Sequence, residues 1–246
     1  ADARYAYVLL SSWDVPPALA RVELATGRYA PFATAAGPQL KAPVFGAEEK
    51  PEWLHGLAVV GDRLAVAISG KPDGTLRFFD AETGGLVSDL KIPGLGCIAT
   101  GPDGSLHVWT AGTIARLVEG KLAAAVTADL PEWAEAMALD AERNIYLTVR
   151  QTNQVKVYAA DGQFLRDIGR PGGRALSGPW QPDGLLNPLG IAVAGQRRLW
   201  VAEEDSAPKR VSVWAADGTL IRDFIGPTGY GGTGANAGPD DPSRVF

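Results

Sequence analysis

The sequence is poor in the side chains that most often carry chemistry: its 246 residues include one cysteine and two histidines. A single cysteine excludes an internal disulfide and any multi-cysteine zinc site. Cys97 stands in the apolar stretch Gly96-Cys97-Ile98-Ala99 and reads as a buried small hydrophobe rather than a reactive thiol. No apolar run approaches the roughly 18 residues of a membrane-spanning helix. The start, Ala1-Asp2-Ala3, has neither a basic leader nor an apolar leader core, and with no initiating Met, Ala1 reads as a mature terminus or the edge of a fragment. Of these the exported, secreted or periplasmic form is preferred. There is no basic block either: 23 Lys and Arg stand against 28 Asp and Glu, a net charge of -5, so nucleic acid is not an expected partner.

The familiar catalytic signatures are missing too. There is no G-x-S-x-G elbow, no H-E-x-x-H and no G-x-x-x-x-G-K-[ST], which leaves serine-hydrolase, zincin and P-loop readings without support. The run Gly229-Tyr230-Gly231-Gly232-Thr233-Gly234 is followed by Ala-Asn-Ala-Gly-Pro-Asp-Asp-Pro, which cannot open the helix that a phosphate loop needs. It reads as a long loop.

What the chain does have is repetition. A hydrophobic share of 46% with 21% charged residues excludes a disordered chain, and 30 Gly with 18 Pro and no three-residue period exclude both a helical bundle and collagen. Four segments share the order short strand, tight turn, second strand, loop, third strand. Their first three strands are 57–60, 64–67 and 76–79; 97–100, 106–109 and 114–117; 136–139, 145–148 and 155–158; and 191–194, 199–202 and 211–214. Each third strand runs through a turn into a fourth, and the last two copies are nearly one text, VKVYAADGQFLRDIG from 155 and VSVWAADGTLIRDFIG from 211. Asp161-Gly162 and Asp217-Gly218 are expected to form two-residue hairpin turns, and Ala81 to Gly85 and Glu119-Gly120 occupy the same place in earlier units. An N-terminal stretch, 5–10, 19–24 and 28–32, fits the template without its first strand.

The first strands begin at 57, 97, 136 and 191, spacings of 40, 39 and 55. A four-stranded unit repeating at roughly 40 residues is the signature of a propeller blade. The expectation is an all-β, single-domain β-propeller of four-stranded antiparallel blades, with five units at about 4–35, 56–93, 96–128, 134–169 and 188–226 and a tail over 227–246. The ring is five- or six-bladed, or the chain is part of a six-bladed one. The tail residues Ser243-Arg244-Val245-Phe246 look like the opening of a strand, either closing the ring beside Tyr5 to Leu10 or beginning a further blade.

Gly169-Arg170-Pro171-Gly172-Gly173, the run Asn187 to Val193, LWVAEE and RVSVWAADG resemble NHL-type propeller repeats. The likeness covers about half the chain at motif level, the earlier units matching as generic blades. It implies a six-bladed propeller related to the broad group of strictosidine synthases, gluconolactonases, paraoxonases and peptidyl-glycine lyases. A shared fold does not transfer activity.

Loop lengths differ between the two faces of such a fold. The long connections, 33–55, 127–134, 169–189 and the tail, together with 11–17, 69–74, 150–154 and 203–209, all fall on one face, and binding residues concentrate on loops held by a rigid scaffold. That face carries Pro51-Glu52-Trp53 and Pro131-Glu132-Trp133 in equivalent loops, with Trp13 and Trp180 on the same side. These indoles either stack on a sugar or peptide or wedge between blades. Asp14, Lys71, Arg150, Glu203, Glu204 and Asp205 form a charged set expected near the mouth of the axis. A Ca²⁺ ion there would need about six to eight oxygen ligands, of which the adjacent 203–205 carboxylates supply two at most, with Asn153 and Asn187 as neutral candidates. The alternative is a set of solvated ion pairs with Lys209 or Arg210. His55, at the entry to a first strand on this face, reads as a general base or as a cap of the Pro-Glu-Trp loop, and His107, inside a strand, as structural. The candidate ligand-binding set is therefore Trp13, Asp14, Trp53, His55, Lys71, Trp133, Arg150, Glu203 and Asp205. The expected function is a non-enzymatic propeller that binds carbohydrate, peptide or protein and needs no cofactor. The alternative is a calcium-dependent lactonase-, esterase- or lyase-like enzyme.

Overall fold

The computed structural model describes residues 4–10, 17–33, 39–40, 54–68, 72–126, 130–176, 178–204 and 208–226. These residues form a β-propeller of five four-stranded antiparallel blades, with one short 3₁₀ turn, Gly195–Arg197, as the only helix among them. None is long and apolar enough to cross a membrane. The chain's internal contacts fall into two compact units, Ala1–Thr127 with three blades and Ala128–Phe246 with two.

In the first unit, blade 1 contains β1 (Tyr5–Leu10), β2 (Ala18–Glu23), β3 (Arg28–Ala30) and β4 (Gln39–Leu40). β3 and β4 pair end to end with the same edge of β2, residues 21–23 with β3 and 19–20 with β4. The blade is therefore three strands wide, which accounts for the missing first strand of its sequence. Blade 2 is the meander β5 (Leu54–Val60), β6 (Arg63–Ile68), β7 (Asp73–Asp80), β8 (Leu86–Pro93). Blade 3 repeats it with β9 (Leu95–Thr100), β10 (Leu106–Thr110), β11 (Thr113–Val118) and β12 (Lys121–Val126).

Alternation along each strand sends every second side chain toward a neighbouring blade. Leu19 and Phe32 of blade 1 meet Leu64, Val66, Ile68 and Phe79 of blade 2, and on the opposite face of blade 2, Leu76, Phe78 and Ile92 pack with Leu95, Ile98, Leu106 and Val108 of blade 3. Cys97 and His107 are buried in this unit, as structural residues of β9 and β10. Arg21 is buried between the rings of Tyr5 and Phe32, 4.4 and 4.9 Å away. It donates to the carbonyls of Pro31 at 2.7 Å, Ala81 at 3.0 Å and Glu82 at 3.2 Å, fixing the turn of blade 2 against blade 1.

In the second unit, blade 4 is β13 (Ala136–Leu139), β14 (Ile145–Val149), β15 (Gln154–Tyr158), β16 (Phe164–Ile168), and blade 5 is β17 (Pro188–Ala194), β18 (Arg198–Glu203), β19 (Arg210–Trp214), β20 (Leu220–Ile225). Tyr146, Val155, Val157 and Ile168 of blade 4 bury against Leu199, Val201 and Trp214 of blade 5.

The turns depart from expectation in one respect. Ala111-Gly112 and Glu119-Gly120 are two-residue turns with positive φ at both positions, 47° and 78°, then 49° and 75°. At Asp217-Gly218 only glycine has positive φ, and the turn is one residue longer: Ala215 and Thr219 close it, with Gly218 N–H donating to Ala215 O at 3.0 Å. Asp161-Gly162 does the same between Ala159 and Gln163. The reason is the aspartate, whose carboxylate accepts from the backbone two residues on: Thr219 N–H to Asp217 Oδ1 at 2.9 Å, Gln163 N–H to Asp161 Oδ1 at 3.0 Å. The extra residue is absorbed as a bulge in the β19–β20 and β15–β16 ladders.

A Cβ at Gly218, φ 93°, would sit 3.6 Å from Ile168 Cγ1, an ordinary contact, so Gly218→Ala isolates the backbone penalty. It is expected to cost about 1 kcal/mol of unfolding free energy, read by urea titration. The Thr219 amide and hydroxyl hold the Asp217 carboxyl below the usual carboxylate range. A lowered folded pKa contributes stability that is present above the unfolded value and is lost as pH falls through the folded one. The stability gap between the parent chain and Asp217→Ala is therefore expected to be widest at neutral pH and to close in strong acid. A gap independent of pH would contradict it.

Candidate functional site

The second unit shows the two-sided asymmetry most clearly. On one side its strands are joined by tight turns at 140–144, 159–163, 195–197 and 215–219. On the other stand residues 150–153, the described part of the long connection, 169–176 and 178–187, and Glu204, Pro208 and Lys209.

The long connection is held in a defined shape. Arg170 N–H donates to Asp183 O at 2.7 Å and Arg174 N–H to Leu185 O at 3.0 Å, while Gln181 Oε1 accepts from Ala175 N–H at 3.3 Å. Leu185 and Leu186, near its end, are buried. Gly173, φ 76°, passes so close to blade 4 that a Cβ there would lie 2.1 Å from Leu185 O and 2.5 Å from Asn153 Cβ.

Under this loop lies a buried ionic clamp. Arg174 donates from Nε and Nη2 to Glu203 Oε2 at 3.1 and 2.7 Å, and Arg210 Nη1 donates to Glu203 Oε1 at 3.2 Å. Arg210 continues to Asp223 Oδ1 at 2.7 Å, to Gly184 O at 2.6 Å and to Pro182 O, and Arg174 reaches Pro208 O at 3.2 Å. Trp180 lies across both guanidiniums, 5.1 Å from Arg174 and 5.3 Å from Arg210. Two cations and the Glu203 carboxylate are thus withdrawn from water together, with Asp223 half-buried beside Arg210. Burial pushes the Glu203 carboxyl above its ordinary range, against the pull of Arg174 and then of Arg210.

Above the clamp is an exposed polar rim. Arg150, directly after β14, donates from Nη2 to Glu204 Oε2 and from Nε to Asn187 Oδ1 at 3.3 Å. Asn187, φ 46°, is the hub: its N–H donates to Asn153 Oδ1 at 2.8 Å and its carbonyl accepts from Glu204 N–H at 3.1 Å. Arg170 pairs with Asp183 at 3.1 Å further along the loop, and Leu176 projects from it, 67% exposed.

Several candidates take places that the sequence did not suggest. Glu203 ends strand β18 rather than lying in the following loop, and it is buried in the clamp, neither solvated nor presented at the rim. Glu204 is the exposed carboxylate, paired with Arg150. Trp133 is half-buried in the segment before β13. His55 is half-buried on β5 of the first unit, where burial lowers its pKa and favours the neutral imidazole. Trp13, Asp14, Trp53, Lys71 and Asp205 lie outside the described residues, as does the tail with its suggested strand. Among the described residues no group of three or more His, Cys, Asp or Glu side chains is placed to hold a metal ion.

Arg174, Trp180 and Asp223 were missed as a set. The signal was a break in the repeat: Lys156 faces Asp167 across β15 and β16 and pairs with it at 3.1 Å, but the matching position facing Asp223 is Ser212. Asp223 takes its cation from Arg210 instead.

No protein-family model matches the chain, and no curated protein matches it. Solved structures do. One is a protein of unknown function from Bacteroides caccae, 14% identical, TM-score 0.60, over 90% of this chain and 73% of that one. A virginiamycin B lyase from Staphylococcus aureus is 14% identical, TM-score 0.54, over 93% and 72%. A chain of a nidogen/laminin complex is 13% identical, TM-score 0.53, over 94% and 75%. At these identities the likeness is one of fold.

Removing one partner from a buried ion pair leaves the other charge uncompensated, at about 3–5 kcal/mol. Glu203→Ala, which strands two guanidiniums, is expected to lose stability on that scale in urea titration and to speed proteolytic cutting within 175–183. A loss below about 1 kcal/mol, the scale of exposed pairs, would show that the clamp is not buried in solution.

Proposed function

We propose that this protein is a binding module that takes a peptide or protein partner on the face formed by residues 150–153, 169–176, 178–187 and Glu204. The supporting observation is the pinned loop: a long connection fixed by a buried clamp keeps an exposed aliphatic side chain, Leu176, and a rim of paired charges in place before any partner arrives. Ordering that is already in place is a cost that binding does not have to meet. The rim pairs Arg150 with Glu204 and Arg170 with Asp183, so it offers donors and acceptors without a field of one sign. That composition suits the mixed polar and aliphatic surface of a polypeptide better than a strongly charged ligand.

Propellers of this shape include both a lyase and a chain found in a protein complex, so the fold alone favours neither catalysis nor binding. The calcium-dependent enzyme draws its carboxylates from 203–205, and here both oxygens of Glu203 are taken by guanidiniums. The binding reading is therefore the better supported.

The test is to probe peptide and glycan arrays with the labelled chain and then with Leu176→Asp and Arg150→Ala, neither of which touches the clamp. Retention on peptide spots that either substitution weakens, at an unchanged melting midpoint, is the expected result. Retention on glycans alone, or peptide binding that ignores both substitutions, would remove the proposal.

A further inference from the structure

The arginines that hold the long connection and its rim divide by how much of the guanidinium the chain itself uses. Arg210 uses all of it: Nε and Nη2 donate to Asp223 Oδ1 at 3.0 and 2.7 Å, Nη2 also to Pro182 O, and Nη1 to Gly184 O at 2.6 Å and Glu203 Oε1 at 3.2 Å. Those bonds engage every N–H that a guanidinium has. The two arginines of the rim are different. Arg150 is bound along one edge, from Nε to Asn187 Oδ1 at 3.3 Å and from Nη2 to Glu204 Oε2. Arg170 is bound along the same edge, with Nε 3.2 Å from each Asp183 carboxylate oxygen and Nη2 3.1 Å from Oδ2. In both, the N–H groups of Nη1 meet no acceptor among the described residues, and the side chains are 43% and 45% exposed.

Each of these cations already has its counterion, Glu204 for Arg150 and Asp183 for Arg170. A second carboxylate brought to either guanidinium would be repelled by the first, whereas a neutral acceptor takes the open N–H groups without that cost. The neutral acceptor that every polypeptide offers is its main-chain carbonyl. It is also the group that guanidiniums of this chain take: Arg166 Nη1 donates to Ala216 O at 2.8 Å, Arg174 Nη2 to Pro208 O at 3.2 Å and Arg210 Nη1 to Gly184 O. Glu204 adds the complementary group, because it meets Arg150 through Oε2 and its Oε1 has no donor among the described residues.

We propose that Arg150 and Arg170 take main-chain carbonyls of an extended partner segment through their open Nη1 groups, with Glu204 and Asp183 balancing each charge and holding each fork in place. The inference rests on the binding face described above and specifies what the partner presents to it. Main-chain hydrogen bonds supply affinity without reading sequence, so selectivity falls to the side chain that meets Leu176.

The probe is a peptide retained on the array, resynthesised unchanged, with a C-terminal amide, with each Asp and Glu replaced by its amide, and as a series in which single peptide bonds become esters. An ester leaves the side chains in place but has a poorer acceptor at its carbonyl and no N–H. Titrated against the unaltered protein, the amidated and amide-substituted peptides are expected to bind as the parent peptide does, and salt is expected to change the affinity little, since no unbalanced charge is read. Esters at one or two positions are expected to weaken binding severalfold. Arg150→Lys keeps the charge and loses the planar fork, and is expected to lower affinity about tenfold at an unchanged melting midpoint. Glu204→Gln is expected to bring no gain. Affinity that falls with the amidated or amide-substituted peptides, or rises with Glu204→Gln, overturns the inference in favour of a carboxylate ligand, and affinity indifferent to every ester overturns it as well. In those cases peptide binding itself stands. If no peptide is retained, the binding reading fails first and this inference with it.

Discussion

Everything in this protein follows from the fact that a four-stranded sheet of short strands cannot stand with both faces wet. Strands of two to eight residues bury too little surface within their own sheet, so each blade must give an apolar face to a neighbour. The two described cores of the first unit and the one of the second are all of this kind, built across blades rather than within them. The repeat period is the sequence's record of that requirement. Tyr146 and Trp200, or Ile168 and Phe224, hold matching register positions in successive units of that repeat.

Long loops create the second demand. A segment such as 169–187 has no ladder to take up its carbonyls, and buried ones must find donors. The chain answers with arginine. Arg210 collects Pro182 O and Gly184 O, Arg174 takes Pro208 O, and in the first unit Arg21 takes Pro31 O, Ala81 O and Glu82 O. A guanidinium with five donors in a fixed plane serves several carbonyls at once, which no neutral side chain does. Its charge must then be balanced in place. Glu203 and Asp223 balance the two arginines of blade 5, and Tyr5 and Phe32 sandwich the one of blade 1.

This also explains what the sequence disclosed and what it hid. The five units, their strand order and the missing first strand of blade 1 were legible because they rest on alternation and on a period, both one-dimensional signals, while the number of blades in the ring was left open between five and six. The two-residue turns at Asp161-Gly162 and Asp217-Gly218 were misjudged by one residue, since a dipeptide shows glycine's freedom but not the aspartate that draws in the backbone beyond it. Glu203 was the larger surprise. In the sequence it is the first of three consecutive acids, which suggests an exposed cluster, and nothing local reveals that Arg174, 29 residues away, reaches it. The rim pair Arg150 and Glu204 is joined over 54 residues. Contacts across blades fall at separations that depend on loop length, and loop length is the one quantity the repeat does not fix.

Gln154 and Arg210 hold the same place at the start of their third strands, and both side chains reach a carbonyl of the long connection: Gln154 to Gly169 O at its beginning, Arg210 to Gly184 O near its end. The loop is thus gripped at both ends by equivalent positions of successive blades. A neutral amide suffices at the beginning, where the chain has only just left the β16 ladder. At the far end the loop brings the Pro182 and Gly184 carbonyls to the same guanidinium, and there the position becomes a cation with its own counterions, Glu203 buried and Asp223 half-buried. The repeat has diverged where the backbone between two blades needs more donors than an amide has. That divergence marks residues 169–187 as the connection on which this unit spends its buried charge.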